Sequence, residues 1–143
     1  SWYVRAMQVR PGHTEDDIAA AVRIDAAVTG LRDRAAYIAA VAERGGLRLA
    51  TDRGEILGFC CLDDRYFFGR AFVSLLIVTG AARRQGIGQG LLEAAAREHP
   101  DLWTSTNRSN VAMRGLLARL GWTYCGELSG LDAGDPEMFY KTA

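Results

Sequence analysis

The most informative stretch of the chain is residues 71–90, which read AFVSLLIVTGAARRQGIGQG. Its first part, up to Val78, is apolar apart from Ser74, as expected of a strand that is covered on both faces. Its second part has two arginines followed by three glycines, and it leads into a segment with helical periodicity. Glycines between a strand and a helix let the backbone approach a ligand closely, and a helix N-terminus attracts anions. The stretch therefore predicts a strand, an anion-binding loop and a helix.

Two familiar phosphate-binding motifs do not fit this loop. A nucleoside-triphosphate P-loop needs Gly-x-x-x-x-Gly-Lys-Ser/Thr, and the loop contains no lysine. A dinucleotide-binding loop needs Gly-x-Gly-x-x-Gly, with an acidic residue about 20 residues later. Here Gly90 comes one residue too early, and residues 104–107 contain no carboxylate. A tight glycine-rich turn without a ligand stays open as the alternative to a phosphate site.

Hydrophobic periodicity, capping residues and glycines predict the order β-α-α-β-β-β-α-β-α-β-β, with helices packed against a mixed sheet. One α/β domain is expected over residues 1–143. The predicted strands are Tyr3 to Val9, Leu47 to Thr51, Glu55 to Leu62, Ala71 to Val78, Leu102 to Ser105, Trp122 to Leu128 and Glu137 to Lys141. The predicted helices run from the cap at Thr14 to Gly30, from Arg32 to Arg44, from Gly86 to Glu98 and from Ser109 to Leu120.

The composition narrows the class of protein. The 143 residues include 17 basic and 17 acidic side chains, and a net charge of zero argues against nucleic acid as a partner. The longest apolar run, Ala71 to Val78, is far shorter than the roughly 20 residues that span a bilayer. Three cysteines without disulfide spacing predict a reduced, cytoplasmic setting. The two histidines lie far apart in sequence and far from any Cys-x-x-Cys, so no metal site is predicted.

The loop and a second motif resemble the GNAT family of N-acetyltransferases. The family's first signature is a buried strand followed by Arg/Gln-x-x-Gly-x-Gly/Ala at a helix start, which Arg83, Gly86 and Gly88 match. Its second is an asparagine eleven residues before Gly-Phe/Trp at a helix end, matched by Asn110 and Gly121-Trp122. The predicted element order fits the family along nearly the whole chain. The resemblance implies a mostly antiparallel sheet flanked by helices, and an enzyme that uses acetyl-coenzyme A (acetyl-CoA).

The resemblance also implies which residues bind acetyl-CoA. Strand residues would offer backbone groups to the pantetheine arm, and a backbone N–H of this strand would polarise the thioester carbonyl. The loop would hold the pyrophosphate, and an asparagine on the next helix would hydrogen-bond the cofactor. In chain order these residues are Leu76, Ile77, Val78, Arg83, Arg84, Gln85, Gly86, Ile87, Gly88 and Asn110. An amine would attack the acetyl group directly, with both substrates bound together.

The chain departs from one branch of the family at the usual catalytic acid and base. In the branch that acts on ribosomal proteins and protein N-termini, a tyrosine stands seven residues after the asparagine and a glutamate often five residues before it. Here these positions are Leu117 and Ser105. Substitutes are expected on the last strands, with Tyr124 or Tyr140 as a phenol near the sulfur and Glu127 as a carboxylate. Half-buried tyrosines and a solvated carboxylate without a catalytic role are the alternative.

Three functions stay open from the sequence. The first is acetyl transfer to a primary amine of a small molecule, the second is modification of a protein N-terminus or lysine, and the third is coenzyme A binding without turnover. The acidic stretch 127–137 suits a cationic amine. Residues 63–68, with two aspartates and three aromatic rings, either wall the acceptor pocket or fold onto the core. Both a monomer and a homodimer are compatible with the sequence.

Overall fold

The computed structural model describes residues 7–143. Within them, seven strands span Met7–Pro11 (β1), Leu47–Asp52 (β2), Glu55–Leu62 (β3), Phe72–Val78 (β4), Trp103–Asn107 (β5), Thr123–Leu128 (β6) and Glu137–Lys141 (β7). Four α-helices span Glu15–Thr29 (α1), Ala35–Glu43 (α2), Ile87–Glu98 (α3) and Val111–Arg119 (α4), and Gly80–Ala82 form a short 3₁₀ turn. The predicted order and the α/β class are confirmed. The first strand was predicted over Tyr3 to Val9, and the part of it before Met7 lies outside the described residues.

The second helix begins later than predicted. The sequence suggested Arg32 to Arg44, whereas α2 begins at Ala35. Arg34 Nε donates to Asp25 Oδ2 of α1 at 3.0 Å, so the residue before α2 is tied to the preceding helix. This ion pair closes the connection between α1 and α2, and the sequence pattern of apolar residues gave no sign of it.

The sheet has the strand order β1-β2-β3-β4-β5-β7-β6 and is antiparallel except between β4 and β5. These two parallel strands pair at only two positions, Phe72 with Trp103 and Val73 with Thr104. Further along, β5 pairs with β7 alone. From residue 75 to residue 78, β4 therefore pairs with β3 on one side and with no described strand on the other. The sheet opens there into a gap between two adjacent strands.

A β-bulge lies in β4 where this gap begins. Cys61 of β3 is opposite Leu75, and the next residue, Leu62, is opposite Val73. One step along β3 thus corresponds to two steps along β4, and Ser74 is the extra residue. Ser74 and the β4 residues after it are partly exposed, whereas the two before it are buried. The change in burial coincides with the end of the pairing with β5.

Helices cover both faces of the sheet. On one side, named here the α1/α2 face, the core includes Ile38 and Cys61. On the other, the α3/α4 face, it includes Cys60 and Leu117. The two adjacent cysteines are buried free thiols on opposite faces, and burial raises the pKa of Cys60 to about 12. Among residues 7–143, no helix is long and apolar enough to cross a membrane.

A capping box begins α1, as the sequence predicts. Thr14 Oγ1 accepts from the Asp17 backbone N–H at 3.0 Å, and Asp17 Oδ2 accepts from the Thr14 N–H at 3.3 Å. Arg10 of β1 donates to both carboxylate oxygens of Asp17, at 2.9 and 3.1 Å. Hydrogen bonds from Arg10, with those from the His13 and Thr14 N–H groups, hold the pKa of Asp17 well below its usual range despite burial. Asp17 therefore joins β1 to α1.

We expect Asp17→Asn to lower the free energy of unfolding at pH 7 by about 1–2 kcal/mol, because it weakens the cap and the pairing with Arg10. The carboxylate has a depressed pKa in the folded state, so its contribution is complete above the unfolded pKa of about 4 and is lost as the pH falls below it. Denaturant titrations at a series of pH values between 7 and 3 measure this. The difference between wild type and variant should shrink towards pH 3.

Asp16→Asn is the matched control, since Asp16 is the exposed neighbour in the same helical turn. Its effect should be a few tenths of a kcal/mol, from the helix dipole alone. Equal pH dependence for the two variants would contradict the role assigned to Asp17.

Candidate functional site

Two helices begin at the same edge of the sheet. Strand β4 leads through residues 79–86 into α3, and β5 leads through residues 108–110 into α4. Because β4 and β5 are parallel neighbours, both helix N-termini lie beyond the carboxyl ends of these strands. Ligands of α/β proteins bind in this position, outside the carboxyl ends of diverging parallel strands. The gap and the two helix starts therefore define the candidate site.

The loop before α3 exposes the N-terminus of that helix. Gly86 is its N-cap residue, with φ of 78°, and within the described chain no side chain caps it. Arg84 also has a positive φ, 64°, so the loop makes two left-handed turns within three residues. Amide N–H groups in the first turn of a helix have no acceptor inside the helix. The loop thus presents uncapped N–H groups and the positive end of the helix dipole to solvent.

Positive side chains surround the same loop. Arg83 and Arg84 are exposed, and neither forms an ion pair with any residue between 7 and 143. A surface pocket of about 510 Å³ lies between α1 and the loop and is lined in part by Arg23, Thr79 and Arg83. This concave surface carries two guanidinium groups, which suit an anion such as a phosphate.

The glycines of the loop have different roles. A Cβ on Gly88 would lie 3.6 Å from Leu116 of α4 and 3.8 Å from Val78 of β4, so α3, α4 and β4 meet there. A Cβ on Gly90 would overlap Met7 of β1. Gly90, which seemed to be a third glycine of the motif, therefore packs against the flexible Met7 side chain of β1. At the exposed N-terminus of α3, the glycine that the backbone conformation requires is Gly86, because its φ is positive.

Asn110, the predicted cofactor ligand of the second motif, is the N-cap of α4. Its Oδ1 accepts from the Met113 N–H at 3.1 Å, and the residue is exposed. Gly121, with φ of 78°, follows the same helix and ends it as predicted. The amide Nδ2 of Asn110 lies at the α4 N-terminus, beyond the carboxyl ends of β4 and β5.

The three predicted strand residues lie along the gap. Leu76 and Val78 pack against the α3/α4 core and Ile77 packs against the α1/α2 core. All three pair with β3. The opposite backbone edge of β4 has no described strand beside it, so an extended ligand can pair with it as an added strand does.

A chain of three hydroxyl and carboxyl groups occupies the α1/α2 face at the start of the gap. Tyr37 Oη of α2 lies 2.6 Å from Asp63 Oδ2 and 2.5 Å from Ser74 Oγ. Asp63 also accepts from the Arg65 N–H at 2.8 Å and forms an ion pair with Arg44 at 3.4 Å. Burial of Asp63 alone would raise the pKa of its carboxyl group, but these partners hold the pKa below its ordinary value.

Sequence reasoning named Asp63 only as a wall of the pocket and missed Tyr37 and Ser74. The signal for Ser74 was present, because it is the one polar residue in the apolar run of β4. Tyr37 gave no signal, since an aromatic residue at helical spacing reads as core.

The α1/α2 face of β5 and β7 carries a second polar pair beside aromatic rings. Ser105 Oγ donates to Glu137 Oε2 at 2.7 Å. Phe67 of the β3–β4 connection packs on Trp103 and Phe139, with ring centroids 5.3 and 5.2 Å apart. The connection therefore folds onto the sheet and walls this face. Glu137, predicted only as part of an acidic stretch, lies next to the position where Ser105 replaces the glutamate of the protein N-terminal branch.

The three predicted catalytic residues form one group on the last two strands. Tyr140 is buried on the α3/α4 face, and its ring centroid is 5.5 Å from that of Tyr124. Tyr124 Oη lies 3.3 Å from Glu127 Oε1, and Arg108 pairs with the same carboxylate at 2.8 Å. Tyr124 and Glu127 lie on β6, the edge strand, and β7 separates them from β5. Only Tyr140 is on a strand that pairs with β5.

Metal ligands form no cluster in the part of the chain that the structure describes. Among residues 7–143, no group of three or more His, Cys, Asp or Glu side chains could hold a metal ion.

Comparisons with known proteins give the family. The model of the acetyltransferase (GNAT) family matches residues 12–122. A crystal structure of a GNAT-family acetyltransferase from Bacillus cereus ATCC 10987 is 32% identical with a TM-score of 0.89, covering 95% of this chain and 96% of that chain. Naa50 of Arabidopsis thaliana, solved with the bisubstrate analogue CoA-Ac-MVNAL, is similar in fold alone. It is 16% identical with a TM-score of 0.77, covering 96% of this chain and 99% of that chain.

One curated relative comes from a bacteriophage. The 5-NmdU N-acetyltransferase of Pseudomonas phage PaMx11 is 30% identical over 89 residues. The match covers 61% of this chain and 64% of the relative, so the chain spans less than two thirds of the length of the phage relative. The N-acetyltransferase class predicted from the sequence agrees with both the phage relative and the family. Since the family model spans most of the chain, the chain belongs to the acetyltransferase (GNAT) family, as its two motifs indicated.

Proposed function

We propose that this chain transfers an acetyl group from acetyl-CoA to a primary amine of a small molecule, with both substrates bound at once. The observation that carries the proposal is the gap between β4 and β5, which ends at the uncapped N-terminus of α3. An extended thioester arm can pair with the free edge of β4 while its pyrophosphate meets the helix N-terminus. The GNAT family uses acetyl-CoA, which is a ligand of this shape and charge.

The predicted cofactor residues lie on three elements, and each element would bind a different part of acetyl-CoA. The backbone of Leu76–Val78 would pair with the pantetheine arm. Residues 83–88 would bind the pyrophosphate through backbone N–H groups and the two arginines. Asn110 would donate from Nδ2, because its Oδ1 already caps α4. These assignments agree with the exposure of the loop and with the position of both helix starts.

Acetyl transfer requires a polarised thioester carbonyl and an uncharged amine. Ser74 has no paired residue on β3 or β5, so its backbone N–H is proposed to donate to the thioester oxygen. The amine nitrogen attacks the carbonyl carbon, a C–N bond forms and the C–S bond breaks. The thiolate leaves with the bonding electron pair and takes up one proton, and the amine nitrogen gives up one.

Proton transfer is assigned to two groups on β7, the strand that pairs with β5. Tyr140 would protonate the thiolate, because it faces the α3/α4 side where Leu117 replaces the tyrosine of the N-terminal branch. Glu137 would accept the amine proton, since it lies on the opposite face beside Ser105. Tyr124 and Glu127, on the edge strand, would support the Tyr140 ring.

The nature of the acceptor is inferred from the same residues. The positions of the acid and base in the protein N-terminal branch hold leucine and serine, which favours a small-molecule amine over a polypeptide. The name of the phage relative gives a second candidate, 5-NmdU. A protein that binds coenzyme A without turnover is the third candidate.

The first prediction from the proposed function concerns acetyl-CoA binding. We expect a dissociation constant in the micromolar range or tighter by isothermal titration calorimetry. Arg83→Glu combined with Gly86→Asp should weaken binding about 100-fold or more, because the new carboxylates repel the pyrophosphate and one of them caps α3 itself. Arg97→Glu reverses a charge in the last turn of the same helix and should bind as wild type does. Wild-type affinity in the double variant would show that the loop is misassigned.

The second prediction concerns turnover. Incubation with acetyl-CoA and a panel of small primary amines should release free thiol and form an acetylated product detectable by mass spectrometry. Peptides with a free N-terminus or lysine, and 5-NmdU, form the other arms of the panel. Faster acetylation of a peptide would contradict the small-molecule assignment. Tight acetyl-CoA binding without product in any arm would contradict the enzyme and favour the binding protein.

The third prediction concerns the acid. Tyr140→Phe should lower kcat about 100-fold for the preferred amine, because it removes only the phenolic proton donor. The dissociation constant for acetyl-CoA should change less than about threefold, since the ring is retained. A larger loss in Tyr124→Phe than in Tyr140→Phe would transfer the role to the edge strand.

A further inference from the structure

The hydroxyl groups of Ser74 and Tyr37 and the carboxylate of Asp63 form a continuous chain of short hydrogen bonds. The Tyr37 oxygen lies 2.6 Å from one end of the chain and 2.5 Å from the other. Its members come from β4, α2 and the end of β3, elements that are far apart in sequence. Asp63 is 5% exposed, whereas Tyr37 and Ser74 are partly exposed. This series of hydrogen bonds therefore runs from the buried Asp63 carboxylate towards the accessible gap.

The charge at the buried end fixes the direction of every hydrogen bond. A carboxylate accepts and cannot donate, so the Tyr37 O–H donates to Asp63. The Tyr37 oxygen is then available only as an acceptor for its other neighbour, and the Ser74 O–H donates to it. Arg44 and the Arg65 N–H keep Asp63 in its ionised form. The Ser74 oxygen is left with lone pairs and without a proton to offer to a ligand.

The position of Ser74 relates this oxygen to the reacting atoms. Ser74 is the bulged residue at the point where β5 leaves β4. It lies four residues before Val78, about 13 Å along the strand from the end of β4, after which the chain continues into the loop proposed for the pyrophosphate. Its side chain contacts α2, so it lies on the α1/α2 face, whereas α3 and α4 lie on the other face. A nucleophile that approaches the thioester from the α1/α2 face would come from the side on which this oxygen lies.

We propose that the Ser74 hydroxyl oxygen accepts a hydrogen bond from the acceptor amine and aims its nitrogen at the thioester, and that Tyr37 and Asp63 are positioning residues that keep this hydroxyl from donating. The proposal rests on the proposed acetyltransferase function and assigns the acceptor-binding group of the same site. An amine has N–H groups to donate, so it fits an oxygen that only accepts. A nucleophile with no proton to donate would find no partner there.

The test measures three variants with the amine that the wild-type protein acetylates fastest. Ser74→Ala should lower kcat/KM for the amine about 10- to 100-fold, as expected for a lost hydrogen bond to a group that is charged or becomes charged. Tyr37→Phe should cause a smaller loss of the same kind, because Ser74 keeps its oxygen but is free to rotate. Ser74→Thr retains a hydroxyl and should retain activity within about threefold. Ser129→Ala, an exposed serine between β6 and β7, is the control and should behave as wild type.

A further readout separates acceptor positioning from a structural effect. Acetyl-CoA affinity should be unchanged in all variants, since the Ser74 side chain is assigned to the amine and the substitutions leave the backbone N–H of β4 in place. Equal losses of amine transfer and of acetyl-CoA affinity in Ser74→Ala would overturn the proposal in favour of a distorted strand. Wild-type kcat/KM in Ser74→Ala would also overturn it and leave the acetyltransferase function intact. Failure of the wild-type protein to bind acetyl-CoA would reject the proposed function itself.

Discussion

The divergence of β4 from β5 is the constraint on which the rest of the site depends. The paired end is held in two ways. Thr104 Oγ1 donates to the Val73 carbonyl oxygen at 2.9 Å, and Phe67 packs on Phe72 and Trp103 at centroid distances of 5.1 and 5.3 Å. These contacts keep the first two positions closed, and from residue 74 onwards the two strands no longer pair. The separation leaves one edge of β4 free, and a fully paired sheet would have no place for an extended ligand.

The gap also separates two regions of opposite charge. At one end lie the α3 N-terminus, Arg83 and Arg84, which suit an anionic ligand. On the α1/α2 face lies the carboxylate of Glu137, hydrogen-bonded to Ser105, which suits an amine. The neutral total charge does not reveal this arrangement, because it sums 17 basic and 17 acidic residues over the whole chain. A donor with phosphates and an acceptor with a positive charge would each meet the complementary end.

The parts that the sequence predicted are local, and the parts that it missed depend on distant contacts. The strand, the loop and the start of α3 follow from a continuous run of 20 residues, because glycine and apolar residues act on their own neighbourhood. Gly121 was readable for the same reason, whereas Asn110 was named from the family resemblance alone. The hydrogen bonds of Tyr37 join it to residues 26 and 37 positions away, and no local pattern encodes them. The bulge at Ser74 likewise depends on the register with β3.

The hydroxyl group of a partly buried serine destabilises a fold unless it finds a hydrogen-bond partner. Here the Ser74 hydroxyl group donates to the Tyr37 oxygen, and the Tyr37 hydroxyl group donates to Asp63. The Asp63 carboxylate at the end of these hydrogen bonds is in turn stabilised by Arg44 and by a backbone N–H. The same contacts that make the serine tolerable also decide which of its roles, donor or acceptor, is left for a ligand. A charge that lies two hydrogen bonds from the gap thereby sets the chemistry at the gap. In this fold, the stabilisation of a polar group in β4 and its suitability for binding an amine arise from one chain of hydrogen bonds.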